Sequence, residues 1–406
     1  MVYVGLLLLY KLFFHLSSVK VEPVIQDEMG YKSGVFFANW SVYDKKHFPI
    51  DLKTDYLTHI FYAFLSIDEA SGKVKFSDEW CDIQLPMVSP RDPTKKVEGN
   101  LQQLFQMKQK NRNLKVIMSI GGWGTSHLFQ AVTADESRFN NFVNTCLFFI
   151  EEYGFDGVDI DWEYPLAHEH GLVVKLLREL RLKMDRISNR LSLSYCGSAL
   201  EETINRFNLK DLDKYLSFWN LMCYDFAGQG YSSKTGFHSN LFGKNGDNSI
   251  NTADVVEKYL SLGIPANKLI LGMPLYGKQF HNVQKGEIGQ SFTNGSEAEN
   301  TFNYNQLPKG QELFDSTKVS ASSYDTARKL FVTYDNEKSA QMKADFTQQM
   351  GLGGGMWWDS SGDVYDNDEK SLIVNYIDQL GGPPVLEKSE NHLDIYGKSK
   401  HLRKLL

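Results

Sequence analysis

From residue 33 onward the chain alternates between two hydrophobic periods. Short runs rich in β-branched and aromatic residues, at 33–38, 59–67, 114–120, 157–162, 191–196, 218–223, 268–275 and 354–358, read as strands. Between them lie longer stretches, among them 101–111, 136–152, 172–187, 252–262 and 339–349, whose apolar residues recur at three and four, the spacing of an amphipathic helix. Strand and helix in alternation predict βα units and a parallel sheet. Eight such units closing on themselves predict an α/β fold of the TIM (β/α)8 barrel type, over residues 31–381.

Two intervals break the rhythm. The stretch 278–353, after the seventh strand, is far longer than the others. Its polar part, 281–335, scatters Phe292, Phe302, Tyr304 and Tyr324 among turn residues and predicts a small α+β insertion between strand seven and its helix, of a length that usually carries function. Beyond Gly381, Gly382, Pro383 and Pro384 the pattern ends, and 385–406 reads as a charged, weakly ordered tail. At the other end, MVYVGLLLLYKLFFHLSS is apolar apart from Lys11, His15 and the closing serines, so residues 1–20 are expected to be a signal peptide or an uncleaved leader. The run is short of the ~20 residues that span a bilayer, and no stable membrane anchor is expected.

Composition narrows the partners. The 406 residues are 42% hydrophobic and 13% aromatic, more rings than a core needs, which points some of them at a ligand. A formal net charge of −7 and a pI near 5.8 supply no basic field for phosphate backbones, so nucleic acid is not expected as a partner. Cys81, Cys146, Cys196 and Cys223 have neither close pairing nor metal-type spacing. They read as mostly buried thiols, with an interstrand disulfide left open. No metal or cofactor is expected, and the chain is expected to be a monomer.

Candidate chemistry sits on the fourth strand. From Asp156 to Pro165 the alternation is strict: Val158, Ile160 and Trp162 share one face, and Gly157, Asp159, Asp161 and Glu163 the other, pointing into the barrel. Same-face neighbours on a strand are about 6.5–7 Å apart, so three inward carboxyls cannot all stay ionised. Glu163 is outermost, at the carboxyl end of the strand where barrel sites form. Its like-charge neighbours are expected to raise its pKa into the range of a general acid. A calcium loop is disfavoured, because Tyr164 stands where the turning Gly belongs and His170 where the bidentate Glu belongs.

Spaced as Asp-x-x-Asp-x-Asp-x-Glu, Asp156, Asp159, Asp161 and Glu163 make the chain resemble the family 18 glycoside hydrolases, the chitinases. Over about 31–380 it is similar to the fungal, bacterial-like (class V) branch, through NWSVY from Asn39, LTHIFYAF from Leu57 and GGMWW from Gly354. The resemblance implies a retaining hydrolase of the β-1,4 linkages between N-acetylglucosamine units of chitin. Glu163 would protonate the leaving oxygen, and the substrate's own 2-acetamido oxygen, not a second carboxylate, would attack. Asp161 would orient the acetamido N–H and share protons with Asp159 and Glu163. Tyr224 and Asp225, in MCYDF, would hold the acetamido group bent under the anomeric carbon. In KVIMSIGGW, Ser119, Gly121 and Gly122 match the third-strand pattern, and the glycines would let chain and sugar approach. Trp123 would be a plate beside the cleaved bond and Trp358 the floor under the distorted sugar, with Phe64, Met222 and Tyr276 in the same pocket.

Two residues depart from that pattern: Phe36, where many relatives carry Tyr, and Lys278, where Arg is usual. Because Lys is a point charge and Arg a planar fork, subsite contacts are expected to differ. Two rivals remain. A chitin-binding lectin on an inactive barrel is opposed by the retained Glu163, Asp161 and Tyr224. An endo-β-N-acetylglucosaminidase is opposed by the long insertion, which in chitinases walls a deep groove. Chitin or chito-oligosaccharides are the implied partner, and a secreted or cell-wall location is implied. Of two N-glycosylation sequons, Asn39-Trp40-Ser41 and Asn294-Gly295-Ser296, the second is the expected acceptor, since the first falls at a strand end.

Overall fold

Alternate side chains of a strand go to opposite faces, and this chain uses the two faces for different purposes. In the computed structural model, which describes residues 30–243, 250–296, 300–393 and 399–405, eight parallel strands pair in sequence order. They are β1 (Lys32–Ala38), β2 (His59–Ile67), β3 (Lys115–Gly121), β4 (Gly157–Asp161), β5 (Ser192–Gly197), β6 (Phe218–Leu221), β7 (Leu269–Pro274) and β8 (Gly354–Trp358). Because β8 pairs back with β1, the sheet closes into the TIM barrel. Every strand boundary falls within two residues of the sequence expectation.

The outward faces, including Val158, Ile160 and Trp162 of the fourth strand run, join the large core shared with the helices, where Trp162 lies flat on Phe129 at 5.0 Å. The inward faces fill the barrel with a separate apolar cluster built on Phe36, Phe61, Ile117, Phe218, Ile270 and Met356. Surrounding them are α1 (Gly99–Lys110), α2 (Ser126–Thr133), α3 (Glu136–Tyr153), α4 (His170–Ile187), α5 (Leu209–Asp213), α6 (Thr252–Ser261), α7 (Glu337–Met350) and α8 (Leu372–Leu380). Their ends are set by local chemistry. Asp135 caps α3 by accepting from Arg138 N, and the same helix stops at Gly154 in the left-handed region. None of the helices among the described residues is long and apolar enough to cross a membrane, and the expected leader lies outside those residues.

The insertion starts earlier than its polar sequence suggests. Immediately after β7, the strand Tyr276–Phe280 leaves the barrel and opens a five-stranded antiparallel sheet with Thr301–Asn303, Gln311–Asp315, Ser320–Asp325 and Leu330–Tyr334, with a 3-10 turn at Tyr304–Gln306. Tyr276 and Lys278 therefore ride on the first strand of this sheet.

Where it is described, the tail is docked, not loose. Glu387 bridges Lys32 (2.7 Å) and Lys115 (2.9 Å) at the amino-terminal mouth of the barrel. Asn391 Nδ2 donates to the carbonyls of Lys108, Asn111 and Leu114, and Leu402 is buried against Phe105. Of the tail's charges, the buried Glu387 is spent on two ion pairs. All four cysteines are buried free thiols. Asn39 is only 1% exposed and donates to Ser77 and Asp82, which closes it to a glycan, whereas Asn294 is exposed.

Asp156, the first acid of the four-acid run, belongs to this floor. Its carboxylate pairs with buried Lys108 at 2.6 Å and accepts from Val116 N and His392 N, locking α1, β3 and the tail together. Asp156→Ala removes the carboxylate facing a buried ammonium, and an unfolding titration in urea is expected to register a loss of about 3–5 kcal/mol. An unchanged midpoint would mean that the floor does not depend on this pair.

Candidate active site

On β4 the barrel interior departs from its apolar rule. Asp159 points inward and is fully buried, so its charge must be met by neighbours. Four groups from three strands meet it: Ser119 Oγ (2.8 Å) from β3, Ser194 Oγ (2.6 Å) and Cys196 Sγ (3.4 Å) from β5, and Asn220 Nδ2 (3.1 Å) from β6. Burial pushes the Asp159 carboxyl up, and these donors pull it partly back. One turn of the pleat further on is Asp161. Burial comes first there too, and the charges of Glu163 and Asp159 add to it, holding its carboxyl well above the usual range. Its Oδ1 is buried with no hydrogen-bond partner.

Glu163 lies just past the end of β4. Its backbone carbonyl accepts from Ser126 Oγ at 2.6 Å, which ties the turn to the start of α2. Burial raises the Glu163 carboxyl to about 7, with a hydrogen bond from Tyr164 opposing and the charge of Asp225 assisting. The expected direction is there, but its leading cause is burial and not the like-charge neighbours.

Asp225 behaves in the opposite way. It follows β6 with φ of 61°, a left-handed conformation that Asp tolerates better than most residues. Its side chain is 46% accessible, with its donors gathered on Oδ1. Tyr276 Oη donates to Oδ1 at 2.5 Å, and Lys278 Nζ lies 3.1 Å from the same oxygen. Burial works against ionisation here, but His238, Lys278 and Tyr276 outweigh it and hold the carboxyl at about 2. Beside it, the Tyr224 ring meets the Tyr276 ring edge-on at 6.3 Å. Burial, then the negative groups around it, push the Tyr224 hydroxyl well above its ordinary value, so it stays protonated and able to donate.

An aromatic wall completes the carboxyl end of the barrel. Trp358 stacks on Phe64 at 5.5 Å and tilts over Phe36 at 5.3 Å, and Trp40 lies 6.3 Å beyond Phe64. Met222 packs in the same cluster, while Trp123 stands apart on the rim, 81% exposed. Gly121 and Gly122 have a steric role. A Cβ on Gly121 would lie 2.1 Å from the Asp161 carbonyl oxygen, and one on Gly122 would lie 2.9 Å from the Phe64 ring. A side chain at Gly121 would push β3 off the acidic strand, and one at Gly122 would collide with the Phe64 ring of β2. Ser194, Cys196 and Asn220 were not anticipated as site residues. The signal was present, since each is at an inward strand position that apolar residues hold elsewhere. His238 carried no local signal.

The match to known proteins agrees with the fold that carries this site. Residues 32–363 match the model of the family described as glycosyl hydrolases family 18. "Endochitinase 1" of Metarhizium robertsii is 34% identical, covering 92% of this chain and 91% of its own length. "Sporulation-specific chitinase 2" of Saccharomyces cerevisiae is 32% identical, over 88% of this chain and 79% of its own. Among solved structures, the catalytic domain of psychrophilic chitinase B from Arthrobacter TAD20 superposes with a TM-score of 0.80 at 25% identity, covering 89% of this chain and 98% of that one. A family 18 chitinase from Cycas revoluta, solved with (GlcNAc)4, gives 0.73 at 25% identity, over 86% and 99%.

The electrostatics can be checked in the free protein. In carboxyl-labelled NMR, Glu163 is expected to titrate near 7, and Asp225→Asn is expected to lower that value only partly, because one raising charge is gone while burial remains. An unmoved Glu163 signal would remove Asp225 from its environment.

Proposed function

The chain belongs to family 18 of the glycosyl hydrolases, and on that premise we propose that it is a chitinase that cleaves β-1,4-linked N-acetylglucosamine chains with retention, through the substrate's own acetamido group. The observation that carries the proposal is Asp161 Oδ1, a buried acceptor with no protein partner, on the strand face it shares with Asp159 and Glu163. An acetamido N–H supplies the donor that this oxygen needs.

In the proposed sequence, protonated Glu163 gives its proton to the glycosidic oxygen as the C1–O bond breaks. The acetamido carbonyl oxygen forms the new bond to C1, giving an oxazolinium ion. Asp161 accepts the acetamido N–H, and the Tyr224 hydroxyl donates to the carbonyl oxygen, so the nucleophile is held bent under C1. Asp225, kept ionised by its donors, contacts the same group. Water then attacks C1, giving its proton to the Glu163 carboxylate, and the ring opens with overall retention. Trp358 and Trp123 offer flat faces to sugar rings on either side of the cleaved bond, with Phe36, Phe64, Met222, Gly122, Tyr276 and Lys278 around them. The insertion, standing over the carboxyl end of the barrel, favours a linear polymer over a branched glycan.

Glu163→Gln is expected to slow release of products from a chitohexaose by about 10²–10⁴-fold while leaving its binding within a few-fold. Equal turnover would sink the assignment, binding without any cleavage by the wild type would make the chain a lectin, and release of glycans from glycoproteins in its place would change the substrate. Since Glu163 must carry its proton, kcat/KM is expected to fall as pH rises past about 7.

A further inference from the structure

Three donors converge on one oxygen of Asp225. Tyr276 Oη and Lys278 Nζ lie 2.5 and 3.1 Å from Oδ1, and Nδ1 of His238 lies 3.8 Å from the same atom. His238 belongs to the loop after β6. That loop is closed by Phe226 N donating to the His238 carbonyl at 3.0 Å, and it is anchored at the next residue, where Ser239 Oγ donates to Asp335 and the Ser239 carbonyl accepts from Lys343. The His238 side chain is fully buried, with its ring 5.2 Å from that of Tyr276. Neither ring nitrogen has a hydrogen-bond partner at ordinary distance. An imidazole buried with both polar edges unmet is costly, and Nδ1 faces Asp225.

We propose that His238 is a positioning residue for the reaction: a neutral imidazole, its proton on Nδ1, holds Asp225 by Oδ1 from the protein side and so keeps Oδ2 turned toward the sugar. This rests on Asp225 handling the acetamido group as proposed above. Lys278 attracts the carboxylate but does not orient it, because an ammonium is a point charge on a flexible stem. Tyr276 and His238 are directional donors on rigid rings, and they approach the same oxygen from two different elements, the insertion strand and the β6 loop. The charged groups facing His238 are Asp225 and Lys278 around Nδ1 and Asp335 from the end of the insertion. Burial first, then Lys278, lower the imidazole pKa against the two aspartates, which leaves it neutral at working pH.

The test combines kinetics with a direct view of the ring. On chitohexaose, His238→Ala is expected to lower kcat at least about tenfold with KM within about twofold, and His238→Gln, which restores a neutral donor, to recover part of the loss. The acidic limb of kcat/KM is expected to move to higher pH in His238→Ala, because Asp225 loses a group that favours its ionised form. In an Asp225→Asn background, His238→Ala is expected to cost nothing further, since both changes act through one contact. Unchanged kcat and an unchanged acidic limb in folded His238→Ala, or full additivity with Asp225→Asn, would overturn the proposal. Should the alanine variant fail to fold, ¹⁵N-histidine NMR of the wild type decides: a neutral Nδ1–H tautomer that shifts in Asp225→Asn supports the clamp, and an Nε2–H tautomer indifferent to Asp225 overturns it. A wild type that does not cleave chitohexaose would remove the chitinase reading and leave the spectroscopic answer standing.

Discussion

The rest of the structure depends on one buried carboxylate. Barrel interiors are normally filled by bulky apolar side chains, and this one follows that rule on β1, β2 and β8 with Phe36, Phe61 and Met356. On β4 it breaks the rule at Asp159, and the break has to be met by β3, β5 and β6 at once, through Ser119, Ser194, Cys196 and Asn220. Removing a charge from water costs several kcal/mol unless it is hydrogen-bonded. The four neighbours are therefore what makes an acidic strand compatible with a packed barrel. They also fix its register, since a slip of one residue would turn Asp159 and Asp161 outward into the helix-facing core.

That register places the remaining acids in graded surroundings. Asp161 sits between two carboxyls and keeps one oxygen unmet, while Glu163 lies at the mouth, buried enough to hold its proton to about 7. Asp225 lies across the same opening with Tyr276, Lys278 and His238 on it, and stays ionised down to about 2. Two carboxyls a short way apart are thus pushed in opposite directions, one to keep a proton and the other to keep a charge. Environments that separate pKa values in this way are how a single site can hold an acid and an anion at one pH.

Much of this was legible along the chain because strand alternation is a local property. The eight strands follow from short β-branched and aromatic runs, the inward carboxyls of β4 from strict alternation, and the main helices from the three-and-four spacing. What was not legible depends on partners distant in sequence. Asp156 reads as the first acid of the four-acid motif, with no partner of its own in sight, yet Lys108 and His392 make it part of the barrel floor. Glu387 near the chain end reads as part of a solvated tail until Lys32 and Lys115 are seen to receive it. The cause of the Glu163 shift was misjudged for a related reason. Like-charge spacing can be read from a strand, whereas burial is set by the aromatic residues and loops that close over it.

The insertion shows why these long-range contacts matter for chemistry as well as for folding. Its first strand carries Tyr276 and Lys278, its last leads into Asp335, and Asp335 pairs with Lys343 of α7 at 2.5 Å while accepting from Ser239 beside His238. The sheet is therefore bonded at both ends to groups that surround Asp225. A wall whose only role was to deepen a groove could shift by an ångström without consequence. Here a shift would move the Tyr276 hydroxyl off Oδ1 and loosen the set of donors that holds Asp225, whose charge is one contributor to the raised Glu163 carboxyl. The insertion and the β4 acids are linked through the Asp225 carboxylate, so the sheet is tied to those acids by contacts far apart in sequence.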